Sequence, residues 1–260
     1  MEALDQRKKN LRRLLSYHGA LSLCVFSALF GTGAALGDSE ALPAPHYQVT
    51  TASPDGIGKV FMGREISHVM GHRGANWLER PQRVQEERTD LLMESLNLNP
   101  SDVVVDLGAG TGYFSFPMAT KVPDGKVLAV DIQPEMLAII EHRTANYGVP
   151  NVETVLASEC DPSLEASSAD VVLLVDAYHE FSCPLEVMAG VAASLKPGGR
   201  VLLVEYRGED PTIGIKPLHT MTLAQAVNEM AAVGLALTSV SDELPKQHLM
   251  TFQKKEHVID

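Results

Sequence analysis

The sequence contains few cysteines and few aromatic residues. Its 260 residues include 3 cysteines, and aromatic residues make up 5% of the chain. So few cysteines do not form a disulfide framework, and their spacing matches no structural zinc site. Cys24 lies in an apolar N-terminal run. Cys160 and Cys183 could pair if the protein is exported, and the sequence leaves that open.

Basic residues are also scarce. The chain has 21 lysines and arginines against 33 acidic residues, which gives a formal charge of −12. A phosphate backbone needs a basic patch, and no run of lysine or arginine occurs beyond the N-terminus. The composition therefore argues against a nucleic-acid partner. The length suits one large α/β domain with an appendage, and not two full domains.

The first 37 residues differ from the rest of the chain. Basic residues come first, residues 20–30 are apolar, and small residues follow up to Gly37. This order is typical of a secretory signal peptide, and a span over residues 14–36 would instead give a membrane anchor. We expect residues 1–37 to make the protein exported, periplasmic or membrane-associated. A cytoplasmic protein with an N-terminal extension is the alternative.

Composition divides the remaining chain into three parts. Prolines and glycines are frequent in residues 38–58, which we interpret as a linker. Residues 59–98 are charged and have helical spacing, and Pro81 suits the first turn of a helix, so we expect a helical cap there. In residues 99–260, apolar strands alternate with helical segments, which predicts an α/β domain.

The most informative stretch begins at Val103 and reads V-V-V-D-L-G-A-G-T-G-Y-F-S. It predicts a buried strand, a glycine turn and the start of a helix. Because glycines have no Cβ, such a turn lets backbone N–H groups approach a polar ligand. Its G-x-G-x-G spacing is neither the dinucleotide fingerprint nor the phosphate loop, and an acid, Asp106, precedes the first glycine.

An acid followed by G-x-G-x-G resembles the first motif of the class I S-adenosylmethionine-dependent methyltransferases, and the resemblance extends over residues 103–253. It implies a doubly wound, mostly parallel seven-stranded sheet of the Rossmann-like type behind the N-terminal helical cap. It also implies S-adenosylmethionine as cofactor and methyl transfer to a small-molecule acceptor. The Y-H-E-F and E-Y-R-G-E-D-P segments look like those of an uncharacterised bacterial branch of that family.

The predicted cofactor site is built from strand ends. Asp131 lies 19 residues beyond the last glycine, at the tip of the second strand, where an acid can accept both ribose hydroxyls. The resemblance implies that the glycine turn holds the amino-acid end of the cofactor, and it leaves the adenine contact open between Ser158 and Glu159. The residues predicted to bind the cofactor are Asp106, Gly108, Ala109, Gly110, Gly112, Asp131, Ile132, Ser158, Glu159 and Asp176.

The candidate catalytic residues are Tyr178, His179 and Glu180, which follow the fourth strand of the predicted domain. Histidine titrates near neutrality and a carboxylate can fix its tautomer, so this pair could take a proton from the acceptor or orient it. The competing interpretation is a polar loop that closes the strand. Methyl transfer to an acceptor that is already nucleophilic depends mainly on positioning.

No metal site is predicted. Glu65, His68 and His72 have spacing that invites a metal interpretation, but the zinc-protease motif needs a glutamate where Val69 stands. Three other functions stay open: a non-catalytic S-adenosylmethionine-binding module, an NAD-dependent oxidoreductase, and a methyltransferase that uses cysteine thiols on a soft metalloid. The G-x-G-x-G spacing disfavours the oxidoreductase.

Overall fold

The computed structural model describes residues 47–255. The predicted export or anchor segment, residues 1–37, lies outside this range, as does the first part of the predicted linker. Within the range, no helix combines the length and the apolar character that crossing a membrane requires.

The described chain begins with a small antiparallel sheet of three strands, β1 (Gln48–Val49), β2 (Gly56–Phe61) and β3 (Arg64–Ser67). Strands β2 and β3 form a hairpin whose two-residue turn, Met62 and Gly63, has positive φ at both positions. Such turns match the twist of a hairpin, and the alternation around them buries Phe61 and Ile66. The expected linker up to residue 58 and helix from residue 59 are therefore wrong for residues 56–67.

Short helices complete the cap. They are α1 (Ala75–Leu78), α2 (Arg83–Glu87) and α3 (Thr89–Ser95), with a 3₁₀ turn at His72–Gly74 before them. Arg88 has φ 54° and separates α2 from α3. The helical prediction is thus confirmed for the second half of the cap, where Pro81 precedes α2.

A seven-stranded sheet forms the centre of the domain, with strand order β6-β5-β4-β7-β8-β10-β9. The first five strands in this order are parallel, and β10 pairs antiparallel with β8 and β9. The strands are β4 (Val103–Leu107), β5 (Lys126–Asp131), β6 (Val152–Leu156), β7 (Ala169–Val175), β8 (Leu195–Tyr206), β9 (Leu235–Ser241) and β10 (Gln247–Lys254). The predicted fold class is confirmed.

Helices cover both faces of this sheet, and each face has its own apolar core. One core joins β4, β7 and β8 to α6 and α7, and the other joins the same strands to α3, α4 and α5. The helices are α4 (Ser115–Lys121), α5 (Pro134–Tyr147), α6 (Pro184–Ser194) and α7 (Leu223–Ala231). Helix α4 begins at Ser115, which places Pro117 in its first turn, where proline is tolerated.

The strand order reverses between β4 and its neighbours β5 and β7. In open α/β sheets, ligands bind outside the carboxyl ends of the strands at this reversal. The cap and the loops after β4, β5 and β7 enclose a cavity of about 710 Å³ at this place.

Candidate active site

The glycine turn after β4 forms one wall of the cavity, through Gly108 and Gly110. Both have positive φ, 77° and 55°. The amides of Gly108 and Ala109 donate to the carbonyl of Val130 at 2.9 and 3.0 Å, which ties the turn to β5. A Cβ at Gly110 would lie 2.6 Å from Leu78 Cδ1, so any other residue would have to displace this methyl group and also adopt the strained positive φ. Ala109 and Gly112 are not part of the cavity wall.

Asp131 lies in the wall at the end of β5, as its predicted role requires. Its carboxylate accepts hydrogen bonds from the amides of Gly110 and Gln133, at 2.8 and 2.9 Å. Burial raises the pKa of Asp131, and these backbone donors oppose the rise. Ile132 follows in the wall with its side chain partly exposed. The Asp131 carboxylate thus both binds the glycine turn and faces the cavity.

Asp106 lies behind the glycine turn and is not part of the cavity wall. Its carboxylate accepts a hydrogen bond of 2.6 Å from Ser115 Oγ, at the start of α4. Burial raises its pKa to about 6, the Ser115 bond opposes the rise, and the charge of Asp131 adds to it. Direct contact between Asp106 and the cofactor stays a prediction.

Asp176 lies in the wall at the end of β7, with φ 50°. Its Oδ2 accepts a hydrogen bond of 2.7 Å from Gln247 Nε2, whereas its Oδ1 is buried and has no hydrogen-bond partner within residues 47–255. Burial raises the pKa of Asp176 well above its usual range, and the charges of Glu87 and Glu205 add to this. A buried acceptor without a partner is costly, so this site favours a ligand that carries a donor.

Ser158 and Glu159, between which the adenine contact was left open, both line the far end of the cavity beyond β6. Their positions do not show which of the two would contact the adenine. The next residue, Cys160, is joined by a disulfide to Cys183, which precedes α6. In this form neither sulfur is a free thiolate, so the thiol-dependent alternative has no nucleophile.

A group of charged cap residues contributes a wall that the sequence did not reveal. Arg83 donates to Glu87 Oε2 at 2.9 Å, Tyr206 donates to Glu87 Oε1 at 2.9 Å, and Arg80 also contacts this carboxylate. All four residues line the cavity. Arg80 also donates to Glu86 Oε2 at 3.1 Å, so the two guanidinium groups of this wall are paired with two carboxylates. Helical spacing predicts α2 but not this charge cluster.

His179 is held by Glu205, a buried residue on β8. Its Nδ1 lies 2.6 Å from Glu205 Oε2, and its Nε2 lies 3.1 Å from Nδ1 of His219. Burial lowers the pKa of His179. The charge and hydrogen bond of Glu205 and the charge of Glu180 raise this pKa by more than burial lowers it, so the net shift is upward. Burial and the nearby His179 lower the pKa of His219. His219 lies on a 3₁₀ turn, Pro217–His219, and no sequence motif indicated it.

Glu180 also faces the cavity, where it completes a cluster with the two histidines. Its Oε2 accepts a hydrogen bond of 3.0 Å from the amide of Met70. Its Oε1 lies 3.9 Å from His179 Nε2 and 3.7 Å from His219 Nδ1. Burial raises the pKa of Glu180 to about 7, against the opposing effects of His179 and the Met70 amide.

Tyr178, the third candidate catalytic residue, is fully buried and does not line the cavity. Its hydroxyl donates to Glu229 Oε2 at 2.7 Å, and Arg64 binds both oxygens of Glu229, at 2.8 and 2.9 Å. The structure therefore places Tyr178 in a contact between the hairpin and α7, away from the other two candidates.

The residues considered for a metal in the cap do not converge. Glu65 accepts hydrogen bonds from the amides of Ser53 and Gly58, inside the small sheet. His68 lines the cavity, whereas His72 lies 3.8 Å from Glu135 on α5. Among the described residues, the cluster with metal-ligand spacing is instead formed by His179, Glu180 and His219.

Comparison with known proteins agrees with this geometry. Residues 104–199 match the family described as a methyltransferase domain. An uncharacterized methyltransferase-like protein of Schizosaccharomyces pombe is 31% identical over 48% of this chain and 46% of its own length. Demethylmenaquinone methyltransferase of Lactococcus lactis subsp. lactis is 31% identical over 43% of this chain and 44% of its own. The match thus spans less than half the length of either relative.

The fold is shared more widely. The crystal structure of an S-adenosylmethionine-dependent methyltransferase from Aquifex aeolicus superposes with a TM-score of 0.66 at 20% identity, covering 71% of this chain and 98% of that one. At this identity the likeness concerns the fold. The match over residues 104–199, the strand order and the acid-flanked glycine turn point the same way. Residues 104–199 thus match a methyltransferase domain, and the sheet around them has the fold of an S-adenosylmethionine-dependent methyltransferase.

Proposed function

We propose that the protein is an S-adenosylmethionine-dependent methyltransferase whose acceptor is a small molecule. The observation that carries the proposal is the cavity, in which the glycine turn, Asp131 and Asp176 face one another at the strand-order reversal. The acceptor class is supported by the name of the Lactococcus relative, which acts on demethylmenaquinone. The cavity volume of about 710 Å³ and the acidic composition of the chain agree with it.

The residues in the wall fit this cofactor. Asp176 Oδ1, buried without a donor, suits the ammonium group of the methionine moiety, and the guanidinium groups of Arg80 and Arg83, which are paired with Glu86 and Glu87, place N–H donors in the same wall for its carboxylate. Asp131 keeps lone pairs for the ribose hydroxyls beside its two backbone donors. Because Asp176 and the arginines lie in the wall and Asp106 behind it, Asp176 is the stronger candidate for direct contact with the ammonium group.

Bound S-adenosylmethionine supplies a methyl group on a sulfonium, ready for attack by a nucleophilic atom. The chain contributes position and proton control. Glu205 holds His179 through Nδ1, and Nε2 of this ring lies beside Nδ1 of His219 in the cavity wall, so the histidine pair can accept a proton from an acceptor. The 2% exposure of His179 keeps bulk water from its Nε2. The roles predicted for His179 and Glu180 stay within this proposal, whereas the Tyr178 hydroxyl is bound to Glu229 outside the cavity wall.

Calorimetric titration with S-adenosylhomocysteine, the demethylated cofactor, tests the proposal. The protein should bind one equivalent, and Asp131→Asn should weaken binding by about 10-fold or more, because a charged acceptor for two hydroxyls is lost. Asp124→Asn, an exposed acid in the turn before β5, is the matched control and should bind normally. Absence of binding to the parent protein, or equal binding by both variants, would contradict the proposal.

We further propose that the domain works in an oxidising compartment, either exported or membrane-associated through residues 1–37. The Cys160–Cys183 disulfide supports this, because such bonds persist outside reducing cytosol. Fractionation of cells expressing the full chain, with thiol labelling before and after reduction, tests it. A cytosolic protein with two free body thiols would refute it.

A further inference from the structure

Three potential metal ligands meet at the acceptor end of the cavity. They are His179 Nε2, His219 Nδ1 and Glu180 Oε1, and they lie 3.1, 3.9 and 3.7 Å from one another. A triangle with these sides has its centre about 2.1 Å from each corner, which is the distance at which Zn²⁺ binds imidazole nitrogen and carboxylate oxygen. The side chains thus already have ligand spacing without rearrangement.

Each of the three groups is oriented by a further contact. Nδ1 of His179 lies 2.6 Å from Glu205 Oε2, and Nε2 of His219 lies 3.0 Å from Asp55 Oδ2. The amide of Met70 occupies the other oxygen of Glu180. Metal-binding histidines usually direct their second nitrogen at a carboxylate in this way, which fixes the tautomer and leaves a lone pair on the ligating nitrogen.

The tautomers of the two rings decide what the space between them can hold. With its proton on Nδ1, His219 donates to His179 Nε2, which lies 3.1 Å away. With both protons on the outer nitrogens, two lone pairs meet there, and this arrangement requires a shared proton or a metal ion between them. Glu180 Oε1 lies on the same side and supplies a third potential ligand atom.

We propose that His179, His219 and Glu180 bind a divalent first-row transition-metal ion, with its open coordination positions directed into the cavity. Two histidines and one carboxylate leave room for water or an acceptor atom, as in catalytic zinc sites and non-haem iron sites. The 3₁₀ turn that carries His219 and the one that carries His179 and Glu180 come from different parts of the chain. The cation would therefore also hold the loop after β8 against the end of β7.

The site gives the acceptor a chemical class, on the condition that the proposed methyltransferase function holds. An acceptor hydroxyl on the ion loses its proton to solvent more easily. Its oxygen lone pair then forms the new bond to the methyl carbon, and the electron pair of the broken C–S bond returns to sulfur. His179 acts in this case as a ligand and no longer as a base. The metal therefore favours oxygen acceptors.

The test uses the tag-free full chain, stripped with EDTA and dialysed. Zn²⁺ binding is measured by calorimetry, and Co²⁺ is used as a spectroscopic probe through its visible d–d absorption. We expect one ion per chain and a Co²⁺ spectrum of low coordination number. Glu180→Gln and His219→Ala should each weaken binding by about 100-fold or more, and Asp55→Asn by about 10-fold, as is typical for an outer carboxylate.

His72→Ala is the matched control, because this cap histidine is exposed and does not line the cavity. It should bind Zn²⁺ as the parent does. Thermal melting of the stripped variants shows whether each is folded, and His219 lies on an accessible turn where truncation leaves the core intact. Absence of stoichiometric binding, or equal binding by Glu180→Gln and the parent, would overturn the inference and leave a shared proton between the histidines.

Titration of the stripped protein with S-adenosylhomocysteine separates the two proposals. Normal cofactor binding without Zn²⁺ binding refutes the metal site and leaves the methyltransferase proposal intact. Zn²⁺ binding without cofactor binding supports the metal site and contradicts the methyltransferase proposal.

Discussion

Replacement of Asp106 by asparagine should make the protein more stable at neutral pH. The Asp106 carboxyl is buried behind the glycine turn, and burial raises its pKa from 3.8 to about 6. Between these values the folded state binds more protons than the unfolded state, so the free energy of unfolding falls as the pH rises. Above pH 6 the full difference of about 2 units applies, which corresponds to about 3 kcal/mol of destabilisation by the ionised group.

Asparagine removes the charge and keeps an oxygen that accepts the hydrogen bond from Ser115 Oγ. Its new amide donors need partners, and an unsatisfied one costs about 1–3 kcal/mol, so we expect a net gain of up to about 2 kcal/mol at pH 7.5. Below about pH 3, under the unfolded value of 3.8, the aspartic acid is protonated in both states and the advantage of the variant should disappear. Urea unfolding at several pH values between 4 and 8 measures this difference.

Asp124→Asn serves as the control, since Asp124 is exposed and its variant should follow the parent at every pH. A difference between Asp106→Asn and the parent that stays constant from pH 4 to pH 8 would refute the reasoning. A gain in stability together with weaker binding of S-adenosylhomocysteine would show that the charge is retained for the cofactor. The predicted cofactor role of Asp106 can be decided in this way.

Two further predictions concern the glycine turn and the disulfide. The positive φ of Gly110 should make Gly110→Ala lose about 1–2 kcal/mol of its free energy of unfolding, and contact of the new methyl group with Leu78 should weaken binding of S-adenosylhomocysteine by about 10-fold. Gly148→Ala is the control, because it has the same backbone strain in open space and should lose stability only. Equal cofactor binding by both alanine variants would contradict this. Replacing Cys160 and Cys183, 23 residues apart, by serine should lower the free energy of unfolding by about 3 kcal/mol, and reduction of the parent should give the same loss in denaturant titrations. Unchanged unfolding on reduction would mean that the bond constrains a segment which is ordered without it.

The sequence predicted the main domain well because its elements are locally encoded. Helix α5 begins at Pro134 and ends before Gly148, which has the left-handed conformation of a helix C-cap, and the structure has these bounds. Buried parallel strands give continuous apolar runs, and β7 is such a run. The hairpin of β2 and β3 was missed for two reasons. Met62 and Gly63 are not among the common turn pairs, and the charged residues around them have a spacing that also fits the exposed face of a helix.

Only the residues of the candidate site that belong to a sequence motif could be predicted. Gly108, Gly110 and Asp131 belong to a strand–turn–helix pattern that fixes their place in space, and all three line the cavity. Glu205 and His219 are distant in sequence from His179 and approach it only because β8 lies beside β7 and its following loop folds back. Periodicity carries no information on such contacts, so the histidine pair could not be anticipated.

The contact between Arg64 and Glu229 has a consequence for the way ligands enter. It joins the hairpin to α7 through two charged hydrogen bonds, with side-chain exposure of 9% and 0%, and breaking a buried pair of this kind costs about 3–5 kcal/mol. We therefore expect the hairpin to stay in place when a ligand enters or leaves the cavity. Val69 and Trp77 in the neighbouring part of the cap also line the cavity, and their apolar side chains are about half-exposed. An incoming molecule would then be selected in part by its fit to these two apolar side chains, in addition to the polar groups of the wall.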